Sequence, residues 1–392
     1  MRIAFILIGN SRRCGYLDGV TLRSGGVGGS GTDTSTILVA EQLAAAGHEV
    51  VVTSDKLEPA LEATLAAEGK TFNSGRVVNG VQYCDIEFTG VENRTFDVLV
   101  SSLWFHDYTQ LPITVTKALI YWCHLQWIYG VDEIKTYAAQ NNLALGFVHI
   151  SEWERGMNGS AADFYPGALE ALIPNPEPDD VIQQVLAENI QRKPHKFVFH
   201  AAWSRGGNIA VEAVRRLPYE DKEFHAFDYM MVIHAHTDPF FHMHDGVDKL
   251  TLYRHLAEAE YFLYPLYTPY KDVHKDTFSC VVADAIALGC TPVTYPLGAI
   301  PENFEGYCHW VPFPDGVDPV ILQAQPLSKD EPGVFAGEQA IQNFVDAVGY
   351  LEQNTELKDK IKTTGASYIL DKLNSAKVGE MWLNFLQQLG VT

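Results

Sequence analysis

Closely spaced cysteine pairs are missing from this sequence. Its six cysteines, Cys14, Cys84, Cys123, Cys280, Cys290 and Cys308, form no C-x-x-C, which argues against a zinc ribbon, a dithiol redox pair and a disulfide framework. Scattered thiols suit a reducing compartment. Long apolar runs are missing too: the stretch behind Arg2, residues 3–8, is too short for a signal peptide, and no later segment reaches a membrane-spanning length. The expectation is a soluble, cytoplasmic protein in which the sequons at Asn93 and Asn158 carry no meaning. Basic charge is scarce. Lys and Arg number 28 against 49 Asp and Glu, the formal net charge is -21, and no long Lys/Arg run occurs, so neither nucleic acid nor an acidic membrane surface is expected as a partner. Short-period repeats and low-complexity tracts are absent as well. What remains is ordinary globular material, and 392 residues suffice for two domains with separate cores.

What is present is alternation of strand and helix. Residues 2–8 read as a continuous apolar strand, 9–31 as a long loop, 33–46 as an amphipathic helix ended by Gly47, and 48–53 as the next strand. A strand or hairpin at 77–86 and buried strands at 96–101, 117–123 and 143–150 continue the series. The three prolines of Ile173-Pro174-Asn175-Pro176-Glu177-Pro178 then mark the approach to a domain boundary. Asp179-Asp180 cap a helix to about 190, and a second series follows: strands 196–200, 228–234, 261–264 and 291–295, with helices 207–217 and 250–259 between them. Helices at 338–351, 356–362 and 381–389 close the chain. The period is that of an α/β protein with doubly wound sheets, and two such units invite a cleft between them.

One stretch, residues 274–293, carries the chemistry. Short polar residues lead into apolar residues at helical spacing, and Gly289 before Pro292-Val293 supplies the stop. Asp276 precedes the helix and Asp284 lies inside it; were most of the intervening residues helical, the two would stand roughly 12 Å apart on similar sides of the axis. Between them come the backbone N–H groups of Phe278, Ser279 and Cys280, at a helix start that favours an anion. A sugar nucleotide has this layout: sugar, diphosphate, ribose. The plainer alternative makes Asp276 an N-cap and Asp284 a solvated helix residue.

Further segments fall in a fixed order along the chain: Gly28-Gly29, Tyr121-Trp122-Cys123-His124, Phe147-Val148-His149-Ile150-Ser151-Glu152 and Ile173-Pro174-Asn175 in the first half. Phe199-His200-Ala201-Ala202-Trp203-Ser204-Arg205-Gly206-Gly207, Val247-Asp248-Lys249-Leu250, Tyr264-Pro265 and Leu297-Gly298-Ala299-Ile300-Pro301-Glu302 follow in the second. With the acid-x7-acid stretch 276–284, this order resembles retaining glycosyltransferases of the GT-B fold, in particular glycosyltransferase family 4. The resemblance implies two Rossmann-like doubly wound domains facing a cleft: 1–178 on the acceptor side, rejoined by a C-terminal helix at 366–392, and 179–365 on the nucleotide-sugar donor side. It implies catalytic roles for Asp276, His124 and Arg205, and donor contacts from Gly28, Gly29, His200, Lys249, Phe278, Ser279, Cys280 and Asp284. Both acids are Asp where the family usually has Glu. His200 stands where a clamp arginine is usual, which leaves Arg205 as the certain cation.

The implied activity is transfer of a sugar from a nucleoside diphosphate sugar, UDP or GDP, to an acceptor hydroxyl, chiefly of a glycan. No cofactor is implied. No D-x-D occurs, which fits a transferase that uses Arg and helix dipoles in place of a divalent ion, so no metal is expected. In His234-Ala235-His236 and His242-Met243-His244 the two imidazoles would face one side if the segment were a strand, which keeps a metal reading open beside that of solvated loop histidines. Trp104, His106, Trp122, Trp127 and Tyr129 form either a sugar-stacking wall or core, and His124 is otherwise a packed core histidine. Two other functions stay in view. One is a sugar-nucleotide or glycan binding protein that has lost turnover. The other is an NAD-dependent oxidoreductase, because Gly26-Val27-Gly28-Gly29-Ser30-Gly31 matches G-x-G-x-x-G with Asp55 downstream, although the glycines stand well beyond the first strand end.

Overall fold

The computed structural model describes residues 1–7, 17–25, 28–54, 76–102, 107–160, 165–228, 238–244, 246–266, 275–316 and 337–391, with 63, 67 and 163. The chain divides into two compact units, Met1–Pro178 with Leu373–Thr392, and Asp179–Lys372. No helix among the described residues is long and apolar enough to cross a membrane.

Among the described residues the first unit holds eight strands: β1 (Arg2–Leu7), β2 (Glu49–Ser54), β3 (Arg76–Val78), β4 (Val81–Asp85), β5 (Thr95–Ser102), β6 (Thr114–Cys123), β7 (Ala144–His149) and β8 (Leu169–Leu172). Their order is β3-β4-β2-β1-β5-β6-β7-β8, parallel except where β3 meets β4. That exception is a two-residue hairpin, with Asn79 and Gly80 at φ 51 and 80, the left-handed pair that such a turn requires. β1 is buried along nearly its whole length because it is central, which is why its sequence is apolar without alternation. The helix Gly31–Ala45 starts two residues earlier than its apolar pattern suggests, since Ser30 and Asp33 form a reciprocal capping box. Within the stretch read as loop, a second helix forms at Gly19–Ser24, capped by Asp18. It was invisible to periodicity because six residues carry too few apolar positions to show a face.

The C-terminal helix Ser375–Gln388 belongs to this unit and covers its sheet. Trp382, fully buried, meets Phe5 at 6.1 Å and Trp122 at 4.8 Å between ring centroids, both edge-on. Phe385 lies so close to Gly146 that a Cβ there would collide with its ring.

The second unit has β9 (Lys193–His200), β10 (Glu223–Phe227), β11 (Phe241–His244), β12 (Ala259–Tyr264), β13 (Thr291–Thr294) and β14 (His309–Trp310). They form one parallel sheet in the order β11-β10-β9-β12-β13-β14. Of the strand expected at 228–234, Asp228 lies just beyond β10, which ends at Phe227, and 229–234 are outside the described residues. β10 was missed because Glu223 and His225 interrupt its apolar residues, while burial on the sheet face holds it in place. The helix expected at 356–362 runs on as Glu356–Leu373.

Trp382→Ala removes the largest side chain between the helix Ser375–Gln388 and β1. We expect it to lower the unfolding free energy by about 3–5 kcal/mol in urea titrations. A loss below about 1 kcal/mol would show that the helix does not seal this core.

Candidate functional site

In the second unit the sheet order turns back between β9 and β12, whose carboxyl ends are His200 and Tyr264. Such a switch point leaves a crevice beyond the strand ends. The chain leaving β9 makes a short 3-10 turn, Trp203–Arg205, and passes through Gly206 at φ 104 into the helix Gly207–Arg216. Only a residue without a Cβ sits easily at that φ. At Gly207 a Cβ would strike the Trp203 ring, so turn and helix pack backbone to indole.

This turn delivers Arg205 to a closed ring of three side chains. Its Nη1 donates to Tyr264 Oη at 2.9 Å and pairs with Asp276 Oδ1. Tyr264 Oη in turn donates to Asp276 Oδ2 at 2.8 Å. Burial pushes the Tyr264 phenol far above its ordinary pKa, so it remains a donor. Asp276 is buried, whereas the Arg205 side chain keeps 32% of its surface exposed and is the accessible member. The main chain of Asp276 is clasped from the other side: Ala299 N–H donates to its carbonyl at 2.8 Å, and Gly298, at φ 63, leaves no room for a Cβ against it.

The second acid lies in a different network. Asp284 is fully buried, accepting from Lys249 Nζ at 2.8 Å and from the Tyr253 hydroxyl, with His200 Nδ1 at 3.8 Å. His200 is lowered to about 4, first by burial and then by the Lys249 ammonium, against the opposing pull of Asp284. It is therefore an uncharged imidazole near neutral pH. The geometric premise for the acid pair also changes, because the helix begins only at Cys280 and runs Cys280–Ala287. Ser279 before it is left-handed, φ 79 and ψ 67, so the chain between the acids is half bend and half helix. The Ser279 Oγ is buried and has no hydrogen-bond partner among the described residues. A strained residue with an orphan hydroxyl at a helix start is a place prepared for an acceptor. Phe278 is buried edge-on against Phe304, and Cys280 is buried as the first helical residue.

The first unit carries the remaining expected residues. Gly28 and Gly29 precede the Ser30 cap, and a Cβ on Gly29 would meet the Leu17 side chain. His124 follows the end of β6, with its ring 4.5 Å from that of Trp122, and burial lowers it to about 3. Trp122 is core; Trp127 is exposed and touches Tyr129. Gly26, Asp55, Trp104, His106, His234 and His236 lie outside the described residues. Missed by sequence reasoning were Tyr253, one helical turn beyond Lys249, and the buried group Cys123, His149 and Glu154. In that group Glu154 accepts from the Ile150 N–H and from Asn158, and holds His149 Nδ1 at 3.0 Å; its carboxyl is raised by burial. The signal for Tyr253 was its i, i+4 spacing from Lys249.

No protein-family model matches the sequence. No curated protein matches it either. Solved structures do. The chain is similar to sucrose-phosphate synthase from Thermosynechococcus elongatus, with TM-score 0.62 and 12% identity over 100% of this chain and 99% of that one. It is similar to the pneumococcal O-GlcNAc transferase GtfA in complex with UDP and GlcNAc, with TM-score 0.62 and 10% identity over 99% of each chain. A third is Anabaena HepE in complex with UDP-glucose, with TM-score 0.58 and 11% identity over 99% of this chain and 100% of that one. Two parallel-sheet α/β units matching these neighbours make the fold GT-B.

The neutral histidines set an acid limit. Below the ordinary value of 6.5 the unfolded chain takes up protons that folded His200 and His124 refuse until about 4 and about 3. Stability therefore falls as pH drops through that window, by about 1.4 kcal/mol per pH unit for each. Urea titrations between about pH 7 and about pH 5 should show a shallower slope in His200→Gln than in the parent, and equal slopes would refute this assignment.

Proposed function

We propose that the chain is a retaining glycosyltransferase, of the family 4 kind, that moves a sugar from a uridine diphosphate sugar to an acceptor hydroxyl on a glycan. The observation that carries the reading is the ring of Arg205, Tyr264 and Asp276 at the carboxyl ends of β9 and β12. A guanidinium that grips a carboxylate at a partly open position is a fork for the oxygens of a leaving diphosphate. The Asp276 carboxylate stands on the guanidinium where those oxygens would come. Donor binding exchanges one anion for the other and releases an Asp276 oxygen to accept from sugar hydroxyls. The developing negative charge on the leaving group is met by Arg205, by the helix start at Cys280 and by the Ser279 hydroxyl, an electrostatic role for fixed donors. UDP in two of the fold neighbours supports the choice of base.

The remaining residues take supporting parts. Asp284, enclosed by Lys249, Tyr253 and His200, acts by holding the Lys249 ammonium in place; a ribose would reach its carboxylate only if one of these gave way. Lys249 then supplies the cationic character that the uncharged His200 cannot. His124, a neutral imidazole able to bond a sugar hydroxyl, and Gly28-Gly29 keep the parts that the family resemblance implies. No covalent nucleophile is assigned, and the chemistry uses neither metal nor cofactor beyond the donor. The loss of charge at His200 favours one other reading, a sugar-nucleotide binding protein without turnover.

Thermal unfolding with uridine, guanosine and adenosine diphosphate sugars separates the readings. A UDP-sugar at about 100 times its dissociation constant should stabilise the protein by about 2.7 kcal/mol. Arg205→Ala should abolish the response to both UDP and the UDP-sugar, and Asp276→Asn only the extra response to the sugar. Stabilisation without UDP release in the presence of glycan acceptors would select the binding protein. A flat response to every donor would end both readings.

A further inference from the structure

One cluster of titratable side chains takes no part in the proposed donor chemistry. β10 and β11 run parallel in the register His225↔His242 and Phe227↔His244, so alternation puts all four side chains on one face of the sheet. Across that face lies the helix Lys249–Glu258, which contributes His255. The ring centroids of His225, His244 and His255 are 4.9 to 5.2 Å from one another. Phe227 walls one side, stacked on His244 at 4.4 Å and edge-on to His255 at 5.0 Å.

The nitrogens converge as well as the rings. His225 Nδ1 is 2.9 Å from His244 Nε2, and one nitrogen from each of the three histidines lies within 4.8 Å of the others. The far nitrogen of His225, Nε2, faces Glu223 Oε2 at 3.2 Å. A carboxylate on the outer N–H turns the inner lone pair toward the cluster, the arrangement that orients metal-ligating imidazoles. His225 is buried while His244 and His255 are half-buried, so an ion has a way in. Two lysines stand close by, but each is matched: Lys196 pairs with Glu258, and Lys193 with Glu258 at 3.1 Å and Glu223 at 3.5 Å. Among the described residues these two lysines are balanced by two carboxylates.

We propose that His225, His244 and His255 form a binding site for a borderline divalent transition-metal ion, zinc by ligand type, with water in the fourth position. Nitrogen ligands at about 2.0–2.1 Å from such an ion lie about 3.3 Å apart, so the closest pair opens slightly and the third ring moves in. The Lys196 ammonium, 3.2 Å from His255 Nδ1, competes for that ring and gives it up to the ion while keeping Glu258. The ion's role is structural. It ties the edge strand β11 to β10 and to the helix whose first turn carries Lys249, and so steadies the support of Asp284 without touching donor.

Chelator-treated full-length protein titrated with Co2+ as a spectroscopic probe, and with Zn2+ during thermal unfolding, tests the site. We expect one Co2+ per chain with visible bands of a four- or five-coordinate ion, and a Zn2+-dependent rise in unfolding temperature. Both should disappear in His225→Ala and His244→Ala. Glu223→Gln, which keeps every ligand, should bind about 10–100-fold more weakly. Lys196→Met should bind about tenfold more tightly, because a neighbouring positive charge is gone. Absence of one-to-one binding in the parent protein overturns the proposal, as do bands that persist unchanged in His244→Ala or affinity that is unmoved in both Glu223→Gln and Lys196→Met.

Discussion

Asp276 and Asp284 are buried carboxylates carried eight residues apart by the chain, and the second unit's functional end is arranged around satisfying them. A carboxylate removed from water without a cation or donors is strongly unfavourable. Asp276 is answered by Arg205 and Tyr264, and Asp284 by Lys249 and Tyr253. These partners come from the turn after β9, the end of β12 and the helix Lys249–Glu258, so meeting two charges draws three elements to one end of the sheet. The two networks differ in access. Asp284 is sealed, while the Arg205 side chain remains partly open.

This difference gives the site its chemical character. An open guanidinium, a protonated phenol and a helix start preceded by a left-handed serine are all hydrogen-bond donors, which is the chemical ground for the proposed diphosphate. Uncharged His200 shifts the balance away from further positive charge and toward directional hydrogen bonds. The fold by itself would not settle this, since GT-B neighbours with about 10–13% identity establish architecture and leave chemistry to the residues. The helix Lys249–Glu258 also joins the donor corner to the histidine cluster, with Lys249 and Tyr253 toward one end and His255 toward the other.

Much of this could be read along the chain. Apolar runs located β1, β5, β6, β7, β9 and β12 to within a few residues, because a strand buried on both faces leaves an unbroken apolar signature. Arg205, Asp276 and Asp284 were singled out from residue type and spacing, and Lys249 through the family resemblance. Their pairing was not: the resemblance gave Lys249 and Asp284 only as separate donor contacts, whereas in space the two meet each other. β10 and β11 escaped notice because histidines occupy inward positions where periodicity looks for apolar side chains. The helix Gly19–Ser24 escaped because its cap, not its face, defines it.

Local regularity explains what the linear order of residues specifies here: alternating strands and helices, the breaks between them, and which polar groups stand at strand ends, since each depends on neighbours a few positions away. Partnership depends on strand order and register. Arg205 reaches Asp276 across 71 positions, Lys249 reaches Asp284 across 35, and His225 reaches His244 across 19. Those meetings exist because β9 lies between β10 and β12 and because β10 and β11 align in register, arrangements that long-range packing selects and no short window of sequence contains.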